Sequence, residues 1–378
     1  MTITMNKKPH VLFLFSDTGG GHRSAAKAII EALEIYYPDQ VSTEMLDFFD
    51  KYGPPPFDMA AATYSHMAQV PNLWAWGYKL SNGKYRSKLV YDVLWPYIRH
   101  AAKDLVKEHP CDMFVSVHPI INTPVLRILG PDHPPYMIVV TDMVSTHVFW
   151  YNNNATMTLV PTLEALQRGL ENGMDADRME VVGQPISDKY RHPTAPKAQL
   201  RMQLGWPESI PIVLMVGGGE GMGPIEAVVR AVDRAQMDLM MVIITGRNET
   251  LQRNLQKKPL TTRNLIFGFV ENMPDLMNAA DIIVTKAGPG TISEAFTAGL
   301  PIILYTRMPG QEEGNVDYVV DKGAGVWAPS PESVVTALRQ WVENPDLRQQ
   351  VAGISKSLAQ PDAARKIAHR IINAVKKA

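Results

Sequence analysis

His22 and Asp142 are, by type and position, the residues of this chain best suited to move a proton. His22 stands just inside a helix that follows an apolar strand and a glycine turn, SDTGGGHR (Ser16–Arg23). A helix N-terminus disfavours the imidazolium cation, so the ring stays neutral and can take a proton near pH 7. Asp142 ends the apolar run Tyr136–Thr141, where α/β folds place functional carboxylates; a plain helix cap is the other reading. His118, in SVHP (Ser116–Pro119), is also at a strand end, where a histidine ordinarily bonds a nearby carbonyl.

The second chemistry is anion binding. Gly217–Gly223 (GGGEGMG) follows the apolar run Ile212–Val216 and precedes Pro224, a good first helical residue. Bare backbone lets phosphate oxygens approach the N–H groups of this loop closely, although a tight connection needing positive φ would also use glycine. The stretch Val284–Asn315 repeats the pattern. A β-branched run breaks at Ala287–Gly290, and a helix from about Thr291 to Ala298 ends at Gly299. Gly288, Gly290 and Thr291 then offer unpaired amides at a positive helix end. Thr291 and Glu294 spell a capping box, which alone accounts for both; the alternative is a carboxylate that accepts from two ribose hydroxyls. Beyond lies a polar cluster, Gln311–Asn315.

Other chemistries are disfavoured. No glycine cluster satisfies GxGxxG, and GxxxxGK[ST] and HExxH are missing. Asp175–Asp177 (DAD) follows Gly173 and reads as a turn, so no metal site is expected. The lone Cys111 makes neither an internal disulfide nor a multi-cysteine zinc site. A formal net charge of −1 gives no field to gather nucleic acid.

These groups need rigid elements to hold them. At 378 residues, two domains are expected. Strands read at Val11–Phe15, Val41–Asp47, Met113–Val117, Tyr136–Thr141, Thr156–Val160 and Met179–Val182. After a polar linker, Ser187–Gln203, they resume at Ile212–Val216, Met240–Thr245, Asn264–Gly268, Asp281–Thr285, Pro301–Tyr305 and Gly325–Trp327. Helical stripes recur between them, Ala26/Ile29/Ile30/Leu33 and Ile225/Val228/Val229/Val232. The fold class is α/β, two doubly wound Rossmann-like domains, 1–190 and 191–378, facing across a ligand cleft, with the terminal helix packing back on the first.

Pro54–His100 breaks this rhythm. It mixes Trp74, Trp76, Tyr85 and Trp95 with Lys79, Lys84, Arg86 and Lys88, which suits an anionic membrane surface or, equally, a helical insertion with an aromatic core. No apolar run approaches the ~18–20 residues of a span, and Asp17 cuts Val11–Phe15 short of a signal segment. Met1–Lys8 reads as a loose lead-in. A cytoplasmic protein held peripherally at a membrane surface is expected.

Taken in order, SDTGGGHR, SVHP, Thr141–Asp142 with His147 and Trp150, VGGGEGMGP, ITGRN (Ile244–Asn248), GFV (Gly268–Val270), TKAGPGTISEA and PGQEEGN resemble the monogalactosyldiacylglycerol synthases. The likeness runs from about Val11 to Val335. The wider family includes processive diacylglycerol glucosyltransferases and the N-acetylglucosaminyltransferase of peptidoglycan lipid synthesis, all of the GT-B fold. The plant enzymes carry proline where this chain has Val148.

The resemblance implies inverting, metal-independent transfer of galactose or glucose from a UDP-sugar to 1,2-diacylglycerol, with the UDP-hexose a co-substrate and no cofactor. It implies that Phe269 and Val270 contact uracil, Glu294 the ribose, and Gly218, Gly219, Gly288, Gly290 and Thr291 the diphosphate. Gln311 and Glu312 would hold the hexose, with Asn315 beside them. His22 matches the proposed base, with Asp142 second or its partner. Gly20, Gly21, Trp74, Trp76, Lys79, Lys84, Arg86, His147 and Trp150 fall in the acceptor and membrane region. Rival readings are a transferase for a polyprenyl-linked or soluble acceptor, a UDP-sugar epimerase, and a non-catalytic nucleotide-binding module.

Overall fold

The computed structural model describes residues 8–17, 20–53, 71–219, 221 and 223–377, and among these it gives no account of the side chains of 71–75 and 84. The chain divides into two compact units, Met1–Asp188 with Asp362–Ala378, and Lys189–Pro361.

The first unit is a six-stranded parallel sheet in the order β2-β1-β3-β4-β5-β6. Its strands are β1 (His10–Phe15), β2 (Ser42–Asp47), β3 (Met113–Ser116), β4 (Tyr136–Val139), β5 (Met157–Val160) and β6 (Met179–Val181). The central strands are unbroken apolar runs because helices cover both faces. Val11, Phe13 and Phe15 pack against Ile29 and Leu33 of helix Gly21–Tyr36 and against Ile367, Ile371 and Ile372 of helix Ala363–Lys377. Leu12 and Leu14, on the opposite face, join Phe49, Leu105, Ile121 and Trp150. Each such aliphatic side chain contributes ~1.5–3 kcal/mol when fully buried. Arg370 in the terminal helix also grips Glu180 of β6 through two hydrogen bonds of 2.7 and 2.8 Å.

The second unit has a parallel sheet in the order β12-β11-β10-β7-β8-β9. Here β7 is Ile212–Val216, β8 Met240–Ile244, β9 Asn264–Phe267, β10 Ile282–Lys286, β11 Ile302–Thr306 and β12 Gly325–Trp327. Every strand of both sheets lies within two residues of the apolar run that predicts it. The strand order reverses at β7/β10 here and at β1/β3 in the first unit. In an open α/β sheet the crevice outside such a reversal, at the strand C-termini, is where ligands bind. Both glycine loops of the second unit and the His22 turn of the first stand at these points.

Two sequence expectations are corrected. Lys197–Leu204, inside the expected linker, is a helix. Its Arg201 is buried and bonds Asp281, which also accepts from Lys197 at 2.7 Å and from the Ile212 N–H at 2.7 Å. The capping box at Thr291 is not formed. That helix starts at Pro289, and its N-cap Gly288 has no side chain to offer.

Candidate active site

In the first unit the reversal between β1 and β3 brings distant loops together. Gly20 takes a left-handed φ of 78° and caps helix Gly21–Tyr36, setting His22 in its first turn. His22 Nδ1 lies 2.9 Å from Thr141 Oγ1, just past β4. Its ring is 4.8 Å from that of His118 and 6.0 Å from that of Trp150. Loss of water lowers the His22 pKa from the usual histidine value, against the opposing pull of Asp142 and of a hydrogen bond to the Val117 main chain. His118 is buried, and burial, with His22 beside it, holds it well below that value. Asp142 is buried too, accepting the Trp150 indole N–H at 2.6 Å. A neutral imidazole with a buried carboxylate in electrostatic range can accept a proton and steady the resulting cation.

In the second unit, the loop after β7 is locked to the loop after β8. Arg247 N–H donates to the Gly219 carbonyl at 2.9 Å, and Asn248 Nδ2 to that of Gly221 at 3.2 Å. A Cβ on Gly246 would stand 2.3 Å from the Gly219 oxygen, so this close approach requires glycine. Gly219 and Gly290 face open space. Beside them, helix Pro289–Ala298 opens with amides that have no carbonyl one turn earlier, suited to an anion. Glu294, on this helix, receives a hydrogen bond from the Tyr190 hydroxyl, and burial pushes its pKa up to about 7. Phe269 is exposed after β9, with the Arg247 guanidinium 5.4 Å over its ring. Gln311 is half-buried in the turn before helix Glu313–Asp321. Val270 is half-buried beside Phe269.

The sequence comparisons decide the relationship. Residues 22–186 match the family model "Monogalactosyldiacylglycerol (MGDG) synthase", and residues 212–370 match "Glycosyltransferase family 28 C-terminal domain". Monogalactosyldiacylglycerol synthase 1 of Arabidopsis thaliana is 34% identical over 99% of this chain and 73% of its own length. The chain belongs to the monogalactosyldiacylglycerol synthase family. Its fold is that of the GT-B glycosyltransferases. CalG4, the calicheamicin glycosyltransferase, superposes with a TM-score of 0.62 at 15% identity, over 98% of this chain and 99% of that one. The UDP-GlcNAc 2-epimerase of Neisseria meningitidis does so at 0.61 and 14%, over 98% and 100%. One fold thus serves a transferase and an epimerase, and the likeness of fold does not choose between them.

Several residues that the family likeness assigns to ligand contact have their side chains engaged within the fold. Trp150 is wholly buried, donating its indole N–H to Asp142, with its ring 6.0 Å from that of His22. Asn315 is buried, its Nδ2 donating to the Ala287 carbonyl at 2.9 Å. Glu312 is buried, pairing with Lys286 at 2.6 Å and accepting the Met308 N–H at 2.8 Å. His147 is buried beneath helix Pro71–Ser81, with Ser81 Oγ 3.1 Å from its Nε2 and the Tyr78 ring at 4.8 Å. Burial lowers its pKa to about 4, which leaves it neutral.

The aromatic insertion of this family member divides between core and surface. Tyr91 is buried, and Trp95 lies under the Arg127 guanidinium. Trp76 and Leu80 on helix Pro71–Ser81, and Tyr85, Leu89, Val93 and Tyr97 on helix Lys84–Glu108, are exposed. Lys79, Arg86 and Lys88 flank them, also exposed. The side chains of Trp74 and Lys84 lie outside those described. Sequence reasoning passed over Lys286, Tyr190 and Arg247. The first and last stand inside motifs that it quoted, whereas Tyr190 carried no signal at all.

Proposed function

We propose that this protein transfers galactose from UDP-galactose to the free hydroxyl of 1,2-diacylglycerol, with inversion and without a metal ion. The observation that carries the reading is the 34% identity to a plant monogalactosyldiacylglycerol synthase across 99% of the chain, spanning both units. The geometry supports a mechanism of this kind. An alcohol has a pKa far above 7, so its attack on the sugar carbon needs a base, worth ~10²–10⁴ in rate. His22, neutral and hydrogen-bonded to Thr141, is that base, and Asp142 steadies the imidazolium. The second unit holds the donor: Phe269 and Val270 at the uracil, Glu294 at the ribose, Gln311 at the hexose. Charge gathering on the departing UDP is met by the amides of the Gly218–Gly219 loop and of helix Pro289–Ala298.

Diacylglycerol resides in bilayers, and the exposed apolar stripe flanked by basic residues supports a protein that lies on an anionic membrane surface. Among the described residues no helix is long and apolar enough to cross one. The test is incubation with radiolabelled UDP-galactose or UDP-glucose, offered with diacylglycerol vesicles or a polyprenyl phosphate. The expected result is label in a monogalactosyl lipid. Label on the polyprenyl carrier alone, or in no lipid, would overturn the proposal.

A further inference from the structure

Lys286 ends β10, next to β7 at the strand reversal, and its side chain runs between two glycine loops. A Cβ on Gly218 would stand 3.1 Å from Lys286 Cε, and one on Gly288 would stand 3.2 Å from its Nζ. Both glycines therefore leave room for this side chain, Gly218 for its methylene stem and Gly288 for its ammonium. The β10/β11 register shifts between Thr285 and Lys286, an irregularity confined to this strand end. The extra residue, Tyr305, is on β11 opposite this end, and such irregularities are common beside active sites.

The ammonium is held from behind. Glu312 Oε1 lies 2.6 Å from Nζ, and Oε2 accepts the Met308 N–H. The Glu312 side chain is 5% exposed and that of Lys286 is 21%, so an anion arriving from solvent meets the cation first. A buried ion pair is weak evidence for stability, because desolvation offsets much of the attraction. This one stands at the mouth of two anion-suited loops, where a fixed positive charge would act on a phosphate.

The geometry points to Lys286 as a catalytic residue that binds the donor diphosphate and takes up charge on UDP as the sugar–oxygen bond breaks. Glu312 is a positioning residue that orients the ammonium, and it acts on the donor through Lys286. The assignment rests on the UDP-sugar reading above. It adds to that reading the residue that supplies a full positive charge.

Calorimetry with uridine and UDP on the whole protein tests it. Lys286→Met is expected to weaken UDP by ~10- to 100-fold, the usual worth of a charge-assisted hydrogen bond, while uridine affinity stays within about 3-fold. In assays it lowers kcat more than it raises KM for the UDP-sugar. Glu312→Gln reproduces the selective loss of UDP in milder form, and Glu312→Asp restores part of it, which a merely structural role would not do. Should Lys286→Met fail to fold by thermal melting, Lys286→Gln carries the same test. Equal losses of uridine and UDP, or no loss of either, would overturn the assignment. A wild-type protein that binds no UDP would instead overturn the donor reading beneath it.

Discussion

A general base must be unprotonated at the working pH, and burial favours that state for His22, the proposed base. Because its pKa lies below the usual 6.5, the acid limb of kcat/KM is expected below that value, with activity level through pH 7. His22→Ala should lose at least ~100-fold in kcat while UDP affinity is unchanged, read by single-turnover kinetics beside calorimetry. A variant with full kcat removes His22 from the mechanism. Glu294 makes a second prediction at this scale. Its pKa in the fold is about 7 against 4.5 for the free side chain. Between those values the unfolded chain releases a proton that the folded chain keeps, so stability declines as pH rises through that window. Glu294→Gln should therefore melt higher than wild type at pH 8 and equally near pH 4. It should also weaken UDP by ~1.5–3 kcal/mol, and wild type should bind UDP more tightly at pH 8 than at pH 6. Lower melting at pH 8 with unchanged UDP affinity would make Glu294 a structural residue. The Tyr190 hydrogen bond, which opposes this rise, was not legible in the chain, because only folding brings together residues so far apart in sequence.

The helices of the insertion make their prediction as elements. Tyr85, Leu89, Val93 and Tyr97 recur every four residues, so one winding stripe of helix Lys84–Glu108 carries exposed apolar groups, while Tyr91 faces the core. Replacing Tyr85, Leu89 and Tyr97 together by serine should reduce co-sedimentation with phosphatidylglycerol vesicles several-fold and leave the melting temperature within a degree or two, since exposed side chains add little to folding. Unchanged co-sedimentation would return the stripe to ordinary surface. Strands were the most legible elements, because a sheet covered on both faces demands unbroken apolar runs. Lys197–Leu204 was misread as linker because Arg201, polar in the sequence, is buried against Asp281. The register shift beside Lys286 was invisible for a related reason: it depends on how β10 pairs with β11, which no single strand encodes.

At the scale of the whole molecule, one rule places the chemistry twice. Each unit is a parallel sheet whose strand order reverses once, and the residues assigned to base and to diphosphate stand at the strand ends beside that reversal. The motif order was enough to expect this architecture, whereas the division of labour among buried polar groups emerged only with the fold. Trp150, Asn315 and Glu312 support their neighbours from within the protein. The central claim is that the sugar leaves UDP for a lipid hydroxyl. Its most direct test measures UDP released and galactolipid formed from UDP-galactose, with and without diacylglycerol vesicles, in wild type and His22→Ala. The account predicts equal amounts of both products, dependent on diacylglycerol and abolished by the substitution. UDP release without galactolipid, or conversion of the donor to another nucleotide sugar, would contradict it.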